Sequence, residues 1–414
     1  MTRIVALMGS GETAPTMVKP HRQIFERLGG GEVPAVILDT PYGFQTNADD
    51  ISDRAKDYFA ASVGRRVEVA SLRSREADPV SWTASLAKVA AAHWVFAGPG
   101  SPSYALRQWQ GSELPALLAD KISGGGCVVF ASAAALTLGR YTVPVYEIYK
   151  VGDDPRWLEG MDLAGFLGPD VAIIPHYDNA EGGSHDTRFC YLGEERLRIL
   201  EAQMSPRGWV LGVDEHTAVV FDLDEGTASV LGSGVVTVRR DGRSSTVPAG
   251  ATVPISALAE LASSPAGPTP AAAAQQPVPS PQGQAPTALH AEIKRLESSF
   301  EAAVARRDVD GAVGALLELD DTLAAWSGDT TQSDAPERGR ATMRRMIARL
   351  GELAHEGARD PRSVLGPFVD ALIAERAAAR AARRFDDADR IRDGLVAAGI
   401  EVRDTPEGTL WDLR

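Results

Sequence analysis

Cysteine is scarce in this chain of 414 residues: the only two, Cys127 and Cys190, lie far apart and not in the spacing of metal ligands. This excludes a disulfide framework and predicts a reducing, cytoplasmic setting. No apolar run approaches the ~18 residues that a membrane span requires, and the first apolar stretch is too short for a signal peptide. Basic residues are outnumbered 42 to 56, which disfavours non-specific binding to nucleic acid or anionic membrane. No motif predicts a metal site or a cofactor.

A segment without charge divides the chain. Residues 263–287 contain seven prolines, a run of alanine and glutamine, and no charged residue. Such a composition predicts an extended or disordered linker rather than packed structure. We therefore expect one domain at 1–262 and another at 288–414.

The first domain alternates apolar, β-rich runs with helical patterns, which predicts a parallel α/β sheet with helices on both faces. Predicted strands are Ile4–Met8, Ala35–Leu38, Val67–Ala70, Trp94–Ala97, Val128–Ala131 and Val171–Ile174, with helices such as Ala48–Ala61 and Val80–Ala92 between them. From about 208 to 240 the strands follow each other closely, separated by turn signals. We interpret this part as an antiparallel extension at an edge of the sheet.

The second domain is helical in pattern. Apolar residues repeat near a period of 3.6 in residues 288–306, 309–326, 336–356 and 364–398. Two short segments at the end, Ile400–Arg403 and Gly408–Trp411, have the pattern of a hairpin. We expect an all-α domain that ends in a small β hairpin.

Ser132 stands where a buried strand meets a helix. The apolar run from Cys127 to Ala131 precedes it, and small residues follow it. This is the layout of a nucleophile elbow, in which the hydroxyl is held at a sharp turn and the next N–H faces the site. The alternative is a serine that caps a helix after a strand.

A nucleophilic serine needs a base and an acid that orients the base. His176 directly follows the predicted strand Val171–Ile174, so it would emerge at the edge where ligands bind in open α/β sheets. The alternative is a histidine that only hydrogen-bonds to loop backbone. For the acid, Glu215 and its neighbour Asp214 follow the next strand. Three other carboxylates remain open as candidates: Asp154, Asp162 and Asp170.

Several segments together resemble the cyanophycinase and dipeptidase E family of serine hydrolases. The segments that carry the likeness are Gly9–Glu12, Phe96–Pro102, Ala131–Ala135, Pro175–Asn179 with Asp186–Arg188 and Glu194–Leu197, and Gly212–Glu215. The resemblance covers residues 1–250. It implies a class I glutamine-amidotransferase-like (flavodoxin-like) fold and cleavage of peptides next to aspartyl residues.

The resemblance also implies roles for individual residues. Ser132 would be the nucleophile, His176 the base and Glu215 the orienting acid. The oxyanion hole would use the N–H groups of Ala133 and Gly100. Two arginines would hold a substrate carboxylate, since a guanidinium fork suits that group: Arg188 and Arg196.

The loop Asp39–Asn47, just after a predicted strand, offers three more candidates for a pocket: Tyr42, Gln45 and Asn47. The alternative for this loop is a polar turn that caps the following helix.

Two residues depart from the family pattern. Ala134 stands where the family has glycine, and a positive φ at this place would cost a non-glycine residue about 1 kcal/mol or more. Pro99 stands where relatives have glycine, and proline has no N–H to donate. Gly100 must then supply the loop's oxyanion donor, and losing one donor costs on the order of 10²–10³ in rate.

The end of the chain resembles the C-terminal domain of bacterial cysteinyl-tRNA synthetases, which contributes to anticodon recognition. Leu372–Phe385 and Ala398–Trp411 carry the likeness. No HIGH-type or KMSKS-type ATP-site motif occurs, so aminoacylation is not predicted. Four arginines at i, i+4, i+7 and i+8 would form one face of a helix that contacts phosphates: Arg376, Arg380, Arg383 and Arg384. The alternative is a solvated face with interleaved acids.

Together these features predict a cytoplasmic serine-type hydrolase with a Ser-His-Glu triad. Its substrate would be a peptide or a small amide or ester, and the fused tail points to a substrate carried on tRNA or used near translation. The alternative is a hydrolase fold that has lost activity and serves as a tRNA-binding or protein-binding adaptor. The sequence predicts no membrane partner and leaves the oligomeric state open.

Overall fold

The computed structural model describes residues 2–76, 78–180, 185–263, 288–326, 335–356, 361–405 and 408–413. They fall into two units, one within 1–287 plus 323–336 and one within 288–322 plus 337–414. The predicted linker 263–287 lies outside the described residues except for Ser263, which ends a helix. Among the helices of the described ranges, none combines the length and apolarity needed to cross a membrane.

The first unit contains fourteen strands in its described residues. They are β1 (Arg3–Met8), β2 (Ala35–Leu38), β3 (Glu68–Ala70), β4 (Trp94–Ala97), β5 (Gly126–Ala131), β6 (Tyr141–Thr142), β7 (Leu158–Glu159), β8 (Val171–Ile174), β9 (Trp209–Val213), β10 (Thr217–Asp222), β11 (Thr227–Gly232), β12 (Val235–Arg240), β13 (Arg243–Pro248) and β14 (Thr252–Pro254). Its helices are α1 (Val18–Arg27), α2 (Ala48–Tyr58), α3 (Pro79–Ala91), α4 (Pro102–Trp109), α5 (Leu114–Gly124), α6 (Ser132–Thr137), α7 (Gly193–Ala202) and α8 (Ile255–Ser263).

Eight strands form the first sheet, in the order β14-β11-β10-β1-β5-β4-β2-β3. Strands β1 to β5 pair in parallel, while β10, β11 and β14 are antiparallel. The predicted fold class, a parallel α/β sheet of flavodoxin-like type with an antiparallel extension, is confirmed.

Strand β1 shows why the sheet is covered on both faces. Its side chains alternate, with Val5 and Leu7 in one apolar cluster and Ile4, Ala6 and Met8 in another. All five are buried. A parallel sheet with helices on both sides needs such a continuous apolar run.

The register brings the ends of the parallel strands together. Met8 pairs with Ala131, and Ala97 pairs with Phe130. The residues that follow β1, β4 and β5 therefore meet at one edge of the sheet. This edge holds Gly9, Gly98 and Ser132.

The strand before His176 belongs to a second sheet, in the order β13-β12-β9-β8-β6-β7. The interpretation that β8 continues the sheet of β5 is therefore wrong. Strand β8 pairs in parallel with β9, and β9 pairs antiparallel with β12. For the same reason the predicted extension at 208–240 is divided: β10 and β11 join the first sheet, whereas β9 and β12 join the second.

The second unit consists of helices and one hairpin in its described residues, although the last residues of α10 and the first of α11 fall in 323–336 and so belong to the first unit. The elements are α9 (Ala288–Ala305), α10 (Val309–Ala325), α11 (Ala335–Glu356), α12 (Pro361–Ala381), α13 (Phe385–Ala397), β15 (Ile400–Thr405) and β16 (Gly408–Leu413). The terminal hairpin and the helical pattern are confirmed. The interpretation of 364–398 as one helix is wrong, because the chain turns at Arg383, which has a left-handed φ of 60°.

Candidate active site

Ser132 lies at a strained turn between β5 and α6. Its φ is 48°, in the left-handed region that costs a residue with a Cβ about 1–2 kcal/mol. The residue at the N-cap position of α6 is Ala131, so Ser132 does not cap the helix. Its hydroxyl is directed to a histidine instead. The geometry is that of a nucleophile elbow.

Three side chains form a chain of hydrogen bonds. Ser132 Oγ lies 3.0 Å from His176 Nε2, and His176 Nδ1 lies 2.8 Å from Glu215 Oε1. Both distances are within the range of a nucleophile, a base and an acid that orients the base. The three residues come from the ends of β5, β8 and β9. The structure thus brings together the three residues that the resemblance selected.

The two sheets meet at Gly9. A Cβ on this residue would collide with the carbonyl oxygen of Asp214, and its own carbonyl accepts a hydrogen bond from the N–H of His176 at 3.3 Å. A second glycine, Gly212 on β9, lies against the ring of Tyr177 and has no room for a Cβ. Both glycines permit the close approach that places His176 beside Ser132.

Glu215 has two further partners, which the sequence did not reveal. Asn179 Nδ2 donates to Glu215 Oε1 at 3.0 Å, and the backbone N–H of Glu215 donates to Asp178 Oδ1 at 2.7 Å. Burial alone would raise the pKa of Glu215, but the hydrogen bonds from His176 and Asn179 outweigh it and lower the pKa. Glu215 is therefore held as a carboxylate against the imidazole.

Asp214 and Asp178 behave differently from Glu215. Burial raises the pKa of Asp214 to about 7, and the nearby charge of Asp178 adds to the effect. Burial also raises the pKa of Asp178, although the N–H of Glu215 opposes this. Burial thus raises the pKa of two carboxyls close to Glu215, whereas the pKa of Glu215 itself is lowered.

The other candidate acids lie elsewhere. Asp154 and Asp162 are exposed. Asp170 is paired with Arg140 at 2.5 Å and accepts a hydrogen bond from Ser205. The structure therefore leaves Glu215 as the carboxylate that contacts His176.

The two predicted oxyanion donors belong to segments that are tied together. The N–H of Ala134 donates to the carbonyl of Gly98 at 3.2 Å, which fixes the loop 98–100 against the start of α6. The left-handed residue of the elbow is Ser132, and Ala134 is a buried helical residue, so the strain considered for Ala134 does not arise. Gly100 has a φ of 136° and lies against Pro41, where a Cβ would collide.

The two arginines proposed for a substrate carboxylate differ in their surroundings. Arg188 donates through Nε and Nη2 to both carboxylate oxygens of Asp186, at 2.8 and 2.7 Å. This pair raises the pKa of Arg188 and lowers the pKa of Asp186 to about 2. Arg196 lies half-buried on α7. The fork of Arg188 is therefore already engaged within the chain.

The loop after β2 holds the three remaining pocket candidates. Tyr42 is buried, and its hydroxyl lies 3.1 Å from Ser52 Oγ. Gln45 is half-buried, Asn47 is exposed, and the backbone of Gln45 closes a turn onto Tyr42. Asn47 occupies the N-cap position of α2, but within the part of the chain that the structure describes its side chain makes no capping hydrogen bond. The role of these residues in a substrate pocket stays a prediction.

The arginines of the tail do not form the predicted stripe. Arg376 is buried and donates to both oxygens of Asp404, at 2.7 and 2.8 Å, so it joins α12 to the hairpin. Arg380 shares the same carboxylate at 2.6 Å. Arg383 and Arg384 lie between α12 and α13, because the helix ends at Ala381. The interpretation of a single basic helix face is wrong.

Comparisons with known proteins give separate results for the two units. Residues 362–411 match the family described as the cysteinyl-tRNA ligase anticodon binding domain. The cysteine–tRNA ligase of Nitratidesulfovibrio vulgaris (strain DP4) is 62% identical over 45 residues, which are 11% of this chain and 9% of the enzyme. That of Pelobacter propionicus is 32% identical over 147 residues, 30% of this chain and 29% of the enzyme. The chain thus spans less than a third of the length of these two relatives.

For the first unit the likeness is structural. A peptidase from an acI-B1 Actinobacterium superposes with a TM-score of 0.50 at 20% identity, and the match covers 61% of this chain and 97% of that one. At this identity the match concerns the fold. The chain therefore joins an α/β unit with a peptidase-type fold to a C-terminal segment that is similar to the anticodon binding domain of cysteinyl-tRNA ligases.

Proposed function

We propose that the α/β unit is a serine hydrolase that cleaves an amide or ester bond. The observation that carries the proposal is the hydrogen-bond chain from Ser132 through His176 to Glu215. Burial raises the pKa of both cysteine thiols, Cys127 and Cys190, which leaves the serine as the candidate nucleophile. Two free, buried cysteines also fit a cytoplasmic location.

The reaction follows from the geometry. His176 Nε2 takes the proton of Ser132 as Oγ attacks the carbonyl carbon, and it later returns a proton to the leaving group. The carboxylate of Glu215 holds Nδ1–H and stabilises the imidazolium. The N–H groups of Ala133 and Gly100 would receive the negative charge on the substrate oxygen. Water then releases the acyl group from Ser132.

Reaction with a fluorophosphonate probe tests this proposal. We expect a Ser132 adduct in the wild-type chain and none in Ser132→Ala, as located by mass spectrometry of the labelled peptide. Ser123→Ala is the matched control, because Ser123 is an exposed serine on α5 and should not affect labelling. If no adduct depends on Ser132 at a concentration that labels an active serine hydrolase, the fold is an inactive one.

For the C-terminal unit we propose that it binds tRNA, which would bring a tRNA-linked amide or ester to the hydrolase unit. The match of residues 362–411 supports this. Filter binding of the full chain to tRNA specific for cysteine and to random RNA of equal length, at two salt concentrations, tests it. We expect tighter binding to the tRNA at both salt concentrations. Equal affinities contradict specific binding and leave the hydrolase unit as the functional part.

A further inference from the structure

Next to His176 the chain forms a row of aromatic rings that the proposed mechanism does not use. The ring of Tyr191 lies 6.3 Å from that of His176, and the ring of Tyr149 lies 5.0 Å from that of Tyr191. The ring of His185 lies 6.4 Å from that of Tyr149, with an angle of 17° between the planes. Tyr149 and Tyr191 are half-buried and His185 is exposed. This aromatic row, His185–Tyr149–Tyr191, extends from the imidazole to solvent.

The backbone that carries Tyr191 is strained. Phe189, Cys190 and Tyr191 have φ values of 60°, 55° and 66°, three successive non-glycine residues in the left-handed region. Each such residue has a conformational cost, and left-handed residues seldom follow one another in this way. Strain of this kind persists where the surrounding structure enforces it, and it clusters at functional sites.

Hydrogen bonds fix this turn to the catalytic histidine. The N–H of Cys190 donates to the carbonyl of His176 at 3.0 Å, and the N–H of Phe189 donates to that of Tyr177 at 2.9 Å. The N–H of Tyr191 closes the turn onto Thr187 at 2.9 Å. The backbone of Tyr191 is therefore held in place, and this fixes the position of its ring beside the imidazole of His176.

The outer part of the aromatic row carries a positive charge. Lys150 Nζ lies 4.8 Å from the centre of the Tyr149 ring, and Lys150 is exposed. A planar ring that packs against the aromatic row would thus have a cation within reach of an anionic substituent. Aromatic faces favour planar π systems over saturated rings of the same size.

We propose that the aromatic row is a subsite for a planar aromatic ring that flanks the scissile bond. The ring is either an aromatic side chain or a nucleobase, and Lys150 binds an anionic group on it. This inference rests on the proposed function in one respect, namely that the bound ring lies beside the carbonyl that reacts. Ring recognition itself needs no catalysis.

Binding to the full chain with Ser132→Ala tests the subsite without turnover. The probes are N-acetylphenylalaninamide and its saturated counterpart N-acetylcyclohexylalaninamide, titrated by saturation-transfer NMR. A second pair, adenosine monophosphate and ribose 5-phosphate, tests a nucleobase as the source of the ring. We expect the planar member of at least one pair to bind about three- to tenfold more tightly. The pair that shows the preference identifies the source of the ring.

Variants of the two tyrosines, each combined with Ser132→Ala, decide whether the aromatic row causes the preference. Tyr149→Leu and Tyr191→Leu should each reduce it severalfold, whereas Tyr149→Phe should keep it because the ring remains. Trp82→Leu is the control for loss of an aromatic residue, since Trp82 is half-buried on α3 and packs against a different apolar cluster from Tyr191.

Two results overturn the inference: equal affinity for planar and saturated probes in both pairs, or a preference that survives both leucine variants. The absence of a fluorophosphonate adduct would instead contradict the hydrolase proposal, so the two failures are distinguishable.

Discussion

In the α/β unit Arg239 is fully buried between Glu194 and Glu201, whereas in the C-terminal unit the side chain of Arg390 is 78% exposed beside Asp387. The same contrast holds for the acids: the Glu215 side chain is 10% exposed and that of Asp412 72%. Buried charges depend on specific partners, because water cannot replace them. Exposed pairs contribute little, since solvent screens them. Changes to charge should therefore have large effects in the first unit and small effects in the second.

The largest effect is expected for Glu215→Gln. The amide keeps the size of the side chain but cannot stabilise the imidazolium of His176, so hydrolysis of p-nitrophenyl acetate should fall by about 10³-fold or more. Glu225→Gln, an exposed acid in the turn after β10, is the control and should retain the wild-type rate. A loss smaller than tenfold in Glu215→Gln would show that this carboxylate does not orient the base.

Arg239→Met is expected to lower the free energy of unfolding of the α/β unit by about 3–5 kcal/mol. The substitution leaves Glu194 and Glu201 without the guanidinium that both contact, at 2.9 and 2.7 Å. Denaturant unfolding followed by tryptophan fluorescence measures the change. Arg243→Met, on the next strand and exposed, should change it by less than about 0.5 kcal/mol. Equal effects of the two variants would remove the contrast between buried and exposed charge.

Asp214 makes the stability of the α/β unit depend on pH. The folded protein keeps the Asp214 proton until about pH 7, whereas the unfolded chain releases it near pH 4. Folding therefore takes up a proton between these values, and stability falls as pH rises, by up to about 1.4 kcal/mol per pH unit.

Asp214→Asn should remove this dependence, because an amide oxygen can still accept from the N–H of Val235. The variant should gain stability over the wild type between pH 5 and pH 8, as measured by denaturant unfolding. The exposed Asp241→Asn should show no such gain. A constant difference between Asp214→Asn and the wild type would mean that Asp214 is ionised throughout.

The smallest effects are expected in the C-terminal unit, where the charged side chains compared above are exposed. Arg376 is the exception, because it is buried. Its side chain is 6% exposed, and its bond to Asp404 lowers the pKa of that carboxyl. Arg376→Met should lower the free energy of opening of the hairpin by about 1–3 kcal/mol, as measured by hydrogen exchange of β15. Arg390→Met should lower it by less than about 0.5 kcal/mol. Equal protection in both variants would show that Asp404 does not hold the hairpin.

Local patterns predicted the elements that carry the site. The buried run before Ser132 and the strand before His176 have their predicted places, with β8 at the predicted residues and β5 beginning two residues earlier. The elbow is a local feature, because a strand, a strained residue and a helix follow each other within a few positions. The position of the candidate site in the fold could therefore be predicted from the sequence.

The pairing of strands that are distant along the chain could not be predicted from local sequence patterns. Nothing in Val171–Ile174 tells whether its neighbour is β5 or β9, since both are apolar runs of similar length. The contacts of Asn179 and Asp178 with Glu215 depend on how β8 and β9 end side by side, which only the register fixes. The break at Arg383 was missed because the apolar period continues on both sides of a single left-handed residue.

Because of the left-handed φ of Ser132, the stability of the fold and the proposed reactivity place opposite demands on this position. A glycine at this position would relieve the strain and at the same time remove the proposed nucleophile, so we expect Ser132→Gly to be more stable and unreactive. The yield, solubility or melting temperature of a variant therefore gives no information about the rate of hydrolysis by this unit. Screens for stability alone would therefore favour a substitution that removes the proposed nucleophile, unless they also measure hydrolysis.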